Sequence, residues 1–369
     1  MALDPALASV RLAVRRSLSI LTERGGEVWA PDLGDTVLVA CSGGADSLAL
    51  LAATVFEAHR IPVRVVGVTV DHGLQDGSAG HTERVVAQMA GLGVDETASV
   101  RVTVDSGPAG TEAGAREARY AALSQLAEHF GAEMVLLGHT LDDQAETVLL
   151  GLARGSGGRS LMGMRRGFRR DEGPSSFYEY NRREVETPDG VQIERLGSPR
   201  PRRSTLFLRP LLDLTRATTE AACRADGITW WEDPHNSDPR FTRARVRHTV
   251  MPLLERELGP GVRQALARTA DLLREDVTSL DERAEAVLQD VGVGDGLDTS
   301  ALEALDPATT HRVVRMACIE AGAIPSELTR DHVLAVADIL LGARDPRQIQ
   351  LPGHVTAYRD GTLLRFRRT

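Results

Sequence analysis

The chain has 369 residues, 42% of them apolar, enough for two or three domains with ordinary cores. Its 52 acidic side chains outnumber 43 basic ones, and the formal charge of −9 argues against indiscriminate polyanion binding. Every basic residue is arginine and no lysine occurs, which excludes mechanisms built on an enzyme lysine, covalent lysyl-AMP ligation included.

After an opening helix the first half alternates apolar runs with amphipathic stretches. Strands are expected over 36–41, 63–70, 99–104 and 134–138, and helices over 46–58, 79–92, 111–130 and 142–153. That alternation predicts an α/β fold with a doubly wound parallel sheet, in which ligands sit at the carboxyl ends of the strands. Residues 164–205 break the pattern with Arg, Gly, Ser and Pro clusters and are expected to form a mobile insertion. Beyond Leu211 the periodicity becomes helical, over 215–226, 240–257, 262–291, 308–321 and 329–341. Asp360-Gly361 then interrupts a strand–turn–strand pattern over 356–364, the signature of a terminal β-hairpin. The organisation expected is a nucleotide-binding domain over 1–214, with its insertion, followed by a mainly helical domain over 215–369.

The most informative motif is Ser42-Gly43-Gly44-Ala45-Asp46-Ser47, where a strand empties into a helix. Two glycines remove the Cβ atoms that block close approach of backbone to an anion, and the helix end beyond them faces it. Ser42 and Ser47 add hydroxyls. Asp46 would repel a phosphate unless a cation such as Mg²⁺ bridges them or the carboxylate has chemical work, so the loop implies nucleotide plus metal. Neither a Walker A loop nor a dinucleotide fingerprint is present. The hexapeptide resembles the signature of the PP-loop ATP pyrophosphatases, which split ATP between the α and β phosphates and activate an oxygen as an adenylate.

Three further constellations fall at strand ends. Asp71-His72-Gly73 reads either as a turn or as a contact for adenosine, with His72 the candidate. Along helix 111–130, Glu112, Arg116 and the Arg119/Tyr120 pair share a face, as a surface salt bridge or as an anion clamp. Gly138-His139-Thr140-Leu141-Asp142-Asp143-Gln144-Ala145-Glu146 ends a strand in a histidine and opens a helix with stacked carboxylates. One of them is explained as an N-cap, and the excess points to metal coordination or proton abstraction.

Charge is segregated along the chain. Residues 159–216 hold 13 arginines against 8 acids, 239–249 hold 4 against none, and 344–369 hold 6 against 2. Arg240, Arg243 and Arg247 lie at i, i+3 and i+7 and would form one basic stripe on a helix, suited to RNA phosphates or simply solvated. Trp230 and Trp231 offer base stacking or core packing. Cys41, Cys223 and Cys318 form no CxxC pair, which fits a reducing cytoplasm with structural thiols. The first residues lack a signal peptide's basic flank and apolar core, and no stretch is long enough to span a membrane. A cytoplasmic protein is expected; a homodimer stays open.

With these pieces in place the chain resembles the tRNA(Ile)-lysidine synthetases. The matches are Ser42 to Ser47; Glu112-Ala113 with Arg116, Arg119 and Tyr120; Gly138-His139 with Asp142-Asp143-Gln144-Ala145-Glu146-Thr147, running on to Arg154-Gly155-Ser156-Gly157; and Arg209-Pro210-Leu211-Leu212. Trp231-Glu232-Asp233-Pro234, with Asn236 and Asp238, is also similar. The resemblance implies that ATP and Mg²⁺ adenylate the C2 carbonyl oxygen of the wobble cytidine in a CAU anticodon, and that the ε-amine of free L-lysine then displaces AMP. Carried over, Ser42, Gly43, Gly44, Ala45, Ser47 and His72 would meet the nucleotide, Asp46 and Asp143 would serve Mg²⁺ and the amine's proton, and Arg116 would steady the adenylate. Arg119, His139, Asp142 and Glu146 are the substrate candidates, and Arg209, Asp233, Asn236, Arg240, Arg243 and Arg247 the tRNA candidates. A PP-loop tRNA thiolase or another adenylating ligase is the competing reading, though a thiolase should show catalytic cysteine pairs. One departure is Arg243-Ala244-Arg245-Val246-Arg247, where the family usually carries asparagine at the second position.

Overall fold

A computed structural model of the chain describes all residues except 1–2, 25–26, 29–34, 72–77, 103–110, 156, 171–184, 187–203, 294–295, 326 and 341–347. The chain packs as two compact units, Met1–Thr147 with Met164–Ala267, and Val148–Gly163 with Arg268–Thr369. The change of periodicity after residue 214 therefore marks a change of secondary structure, while residues 215–267 pack within the first unit.

That unit contains α1 (Pro5–Thr22), β1 (Thr36–Ala40), α2 (Ala45–Ala58), β2 (Arg64–Asp71), α3 (Ser78–Gly91), β3 (Glu96–Arg101), α4 (Thr111–His129), β4 (Ala132–Leu137) and the start of α5 (Leu141–Arg154). It continues with β5 (Gly167–Arg170), β6 (Val185–Glu186), β7 (Thr205–Leu208) and α6 (Arg216–Ala225). The strands form one sheet in the order β5-β7-β4-β1-β2-β3-β6. β1, β2, β3, β4 and β7 run parallel, and the short edge strands β5 and β6 run antiparallel to β7 and β3. The 164–205 segment, expected as a mobile insertion, thus supplies two edge strands, one near its start and one near its middle. Sequence spacing places the third strand at 99–104, but it starts at Glu96, because its pairing with β2 begins at Val66 opposite Glu96.

Alternation along β1 explains why both sheet faces are covered. Val37 and Val39 face a core shared with α1, α2, α3 and α6, whereas Leu38 and Ala40 face one built with Tyr120, Leu123 and Leu126 of α4. A strand buried on both sides has no polar period, which is why this run reads as continuously apolar. Tyr120, Phe168 and Phe207 extend the second core, with the two phenylalanine rings stacked at 5.1 Å and Tyr120 edge-on to both.

The second unit has its own core, which includes Val313, Val314, Cys318, Val336, Val355 and Leu364. Its antiparallel sheet runs in the order Gly292–Val293, Gly296–Asp298, Leu363–Arg368, Val355–Asp360, Gln348–Leu351. The expected hairpin is present, but Asp360 pairs with Leu363 inside the ladder, so the two-residue turn is Gly361-Thr362 rather than Asp360-Gly361. Gly361 takes the positive φ of 61° that the first turn position requires.

The strand order reverses between β1 and β4, and this switch point opens a crevice beyond their carboxyl ends. Two glycines let the elements meet there. A Cβ on Gly138 would lie 3.1 Å from the backbone of Asp46 and Ser47, and one on Gly43 (φ 81°) would lie 2.7 Å from the Val85 side chain. Gly138→Ala is expected to lower stability by about 1–3 kcal/mol through overpacking against backbone. Urea unfolding should show a lower midpoint with an unchanged m-value.

Candidate active site

The crevice holds a cavity of about 430 Å³, lined on one side by the Ser42–Ser47 loop and on the other by Gly138, His139 and Asp143. The two strongest sequence motifs therefore meet. Gly44 is the N-cap of α2 and supplies no side-chain cap, so the first-turn N–H groups of the helix face the cavity without a side-chain acceptor. Ser42 is exposed. Ser47 is buried, its hydroxyl donating to the Gly44 carbonyl at 2.9 Å and accepting from the Ser42 N–H at 3.1 Å, so it shapes the loop. His81 packs its ring 3.9 Å from that of Trp231, and the Trp231 N–H donates to the Gly43 carbonyl at 3.0 Å, which clamps the loop from outside.

Asp46 and Asp143 converge on one cation. Arg216, at the first position of α6, sends Nε to Asp46 at 3.1 Å and an Nη to Asp143 at 3.3 Å. Thr219 donates a further bond to Asp46. Asp142 stands outside the cavity lining. It accepts the Arg216 backbone N–H at 2.8 Å and pairs with Arg263 at 3.1 Å, so it positions the bridging arginine. Asp143 divides its labour between its oxygens: one accepts from the Thr140 N–H and hydroxyl at 2.9 and 3.1 Å as a helix cap, and the other faces Arg216 and Arg247.

Electrostatics separate these acids. Burial raises the Asp46 pKa, an effect that Arg216 and Thr219 only partly offset and the Asp143 charge reinforces. For Asp143 burial is outweighed by Arg216, with Arg243 and the Thr140 N–H adding to it, and its pKa is lowered. Burial drives His139 down to about 3, so its ring is neutral.

The arginines distribute differently from expectation. Arg119 lines the cavity, and among the described residues its guanidinium has no hydrogen-bond acceptor. Arg116, expected to steady the adenylate, is instead exposed and outside the lining, its guanidinium 5.6 Å from the Tyr120 ring. Arg209, expected to meet tRNA, is only 5% exposed, so a surface contact with RNA is corrected to an internal tether. Its three nitrogens donate to His139 Nδ1, the Arg165 carbonyl and the Tyr120 hydroxyl at 3.2, 2.6 and 2.9 Å.

The basic stripe is also redrawn. Arg240 precedes the short helix Thr242–Arg245 and pairs with Asp238, while Arg247 lies in a π-helical turn over Val246–Val250. Arg243 and Arg247 fold inward onto Glu146, at 2.8 and 2.6 Å, leaving Glu146 2% exposed and outside the lining. Ala244, at the asparagine position, is buried. Asp233 and Asn236 do line the cavity, as do Trp230 and Trp231. His72 and the Glu112 side chain lie outside the described residues.

Sequence reasoning missed Arg216, Thr219 and His81. Arg216 alone had a usable signal: it opens a helix just after Arg209-Pro210-Leu211-Leu212, in a chain whose only permanent side-chain cations are arginines. None of the three cysteines belongs to the described lining, and all three are buried free thiols.

Two family models match, the PP-loop domain over residues 18–254 and the TilS substrate binding domain over 297–368. The tRNA(Ile)-lysidine synthase of Streptomyces coelicolor is 44% identical, covering 98% of each chain. Those of Thermobifida fusca and Salinispora arenicola are both 45% identical, over 95% and 97% of this chain and 94% and 95% of theirs. Among solved structures, the U34-tRNA thiolase NcsA from Methanococcus maripaludis is similar at 15% identity and a TM-score of 0.48, over 72% of this chain and 80% of that one. A phosphate loop and an acid-bearing helix meeting at the switch point, within a chain matched over nearly its whole length, lead to one conclusion: the protein belongs to the tRNA(Ile)-lysidine synthase family of PP-loop proteins.

Proposed function

We propose that this protein ligates free L-lysine to C2 of the wobble cytidine of tRNA(Ile) bearing a CAU anticodon, consuming ATP and giving AMP and pyrophosphate. The observation that carries the reading is the convergence of Asp46 and Asp143 on Arg216 beside the Ser42–Ser47 loop. In the first step the cytidine O2 attacks the α-phosphorus and pyrophosphate leaves. In the second the lysine ε-amine attacks C2 and the bond from C2 to the AMP oxygen breaks. A ring carbonyl oxygen leaves poorly until it belongs to AMP, so adenylation must come first.

Ser42, the loop backbone and the N-terminus of α2 would bind phosphate, with Arg119 as the cation aimed at it. Lysine's ammonium must lose a proton before attack, and Asp46 and Asp143 are the carboxylates at hand. Mg²⁺ fits here, because two acids already share a cation and a magnesium site needs only one or two carboxylates beside the phosphates. When bound, it would neutralise charge building on the phosphates. Trp230 and Trp231 offer faces for a base. The remaining exposed cation of the expected stripe is Arg240, which suits a tRNA phosphate. Among the described residues no helix is long and apolar enough to cross a membrane, and we place the activity in the cytoplasm with its tRNA.

Mixing the protein with ATP, Mg²⁺, labelled lysine and CAU-bearing tRNA should give lysine-dependent AMP release with label in the RNA. Sulfur incorporation, or turnover without RNA, would count against the reading.

Asp143→Asn keeps an oxygen for the Thr140 cap but removes the charge between Arg216 and Arg247. Its turnover should fall about a hundredfold or more, roughly 2.7 kcal/mol of barrier, with the native fold retained by circular dichroism. Near-normal turnover would reduce Asp143 to a helix cap.

Arg119→Ala should raise the ATP concentration needed for half-maximal turnover by about tenfold, roughly 1.4 kcal/mol, since it removes a cation from the cavity wall. An unchanged ATP requirement would move the phosphates elsewhere.

A further inference from the structure

Among the described residues Arg209 is a buried cation with no carboxylate partner. Its three guanidinium nitrogens go to three neutral acceptors, the His139 ring, the Arg165 carbonyl and the Tyr120 hydroxyl. Its own backbone N–H donates to the Arg166 carbonyl at 2.8 Å, and its guanidinium carbon lies 4.7 Å from the centre of the Phe168 ring. Little freedom is left to the group.

A guanidinium has five N–H donors and no acceptor, and it stays protonated in proteins. Its contact with His139 Nδ1 at 3.2 Å therefore has one sense: Arg209 Nε donates and Nδ1 offers its lone pair. A ring that accepts at Nδ1 is neutral and carries its single proton on Nε2. His139 lines the cavity, and among the described residues Arg209 is the only hydrogen-bond partner of its ring, so the Nε2–H is left for a ligand.

We propose that Arg209 is a positioning residue that fixes His139 as the Nε2–H tautomer, making it a hydrogen-bond donor to an oxygen of the reacting groups in the cavity. This rests on the proposed ligase reading for the identity of those groups, a phosphate oxygen of ATP or the carbonyl oxygen of the base. A donor of fixed orientation needs no reorganisation as negative charge grows on its acceptor, the property that makes such contacts effective in transition states. It also accounts for a buried arginine in a place where no acid calls for one.

Two-bond ¹⁵N–¹H correlation spectra of histidine-labelled full-length protein test the tautomer directly, with the His139 signal assigned by its loss in His139→Gln. The wild-type ring should be neutral with hydrogen on Nε2. Arg209→Met should release it into a mixture of tautomers, while Tyr120→Phe, which removes a neighbouring Arg209 bond, should leave it unchanged. In the labelled-lysine assay Arg209→Met should lose about tenfold in kcat/KM. His139→Gln, whose amide nitrogen reaches toward the Nε2 position, should retain several-fold more activity than His139→Asn.

Weaker ATP binding by His139→Asn without RNA would make the acceptor a phosphate oxygen; unchanged binding with slower adenylation would make it the base carbonyl. Hydrogen on Nδ1 or a doubly protonated ring in the wild type would overturn the proposal, even if Arg209→Met failed to fold. So would an unaltered tautomer in Arg209→Met, or equal activities of the Gln and Asn variants. Absence of any lysine-dependent AMP release by the wild type would instead strike the ligase reading, because the spectra are recorded without substrates.

Discussion

Asp46 and Asp143 share one neighbourhood only because the Arg216 guanidinium lies between them. Two buried carboxylates raise each other's proton affinity, and each adds a desolvation cost, so a permanent cation is what keeps such a pair ionised. The bridge is itself held by its backbone. Asp142 accepts the Arg216 N–H, which ties the first turn of α5 to the first turn of α6 and fixes where the guanidinium can reach. The adjacent carboxylates 142 and 143 are thus not a duplicated ligand. One orients the cation and the other is neutralised by it.

The same constraint organises the second ring of charge. Glu146 is almost fully buried, and Arg243 and Arg247 both fold onto it, with Arg247 reaching on to Asp143. The π-helical turn that carries Arg247 adds a residue to the local repeat at this point, a distortion that recurs where side chains must be aimed rather than merely packed. Removing one partner from such a network leaves an uncompensated buried charge, which is why its members cannot vary independently. Charge that looks available in the sequence is thereby consumed inside the protein.

Much of the α/β half was legible because its signals are local. The continuously apolar 36–41 run, the glycine-rich turn and the helix after it specify their own geometry, and strands separated by helices leave a parallel sheet as the natural solution. The meeting of Ser42–Ser47 with Gly138–Asp143 followed from the rule that ligands gather at strand carboxyl ends. Partnerships spanning long separations were not legible. Arg216 is 170 residues from Asp46, and no periodicity relates them. The stripe at 240, 243 and 247 misled for a related reason: helical spacing says which side chains share a face, but not whether that face meets solvent or a buried glutamate. Arg209 misled because an arginine in a basic stretch reads as surface charge, although it is buried with its guanidinium against Tyr120 and Phe168.

The absence of lysine sharpens what the site can do. Arginine stays protonated throughout the physiological range, so none of the 43 arginines can act as an amine nucleophile or accept a proton. Proton traffic in the cavity falls to Asp46, Asp143 and the imidazoles, and His139 already has Nδ1 engaged by a donor. An attacking side-chain amine must then come from solution. A cavity in which Arg216 and Arg247 already sit against Asp46 and Asp143 suits an incoming ammonium that must be recognised by charge and then stripped of a proton. The same arginines that pair the acids also set the terms of entry, since a cationic amine reaches those carboxylates only by competing with guanidiniums already bound to them.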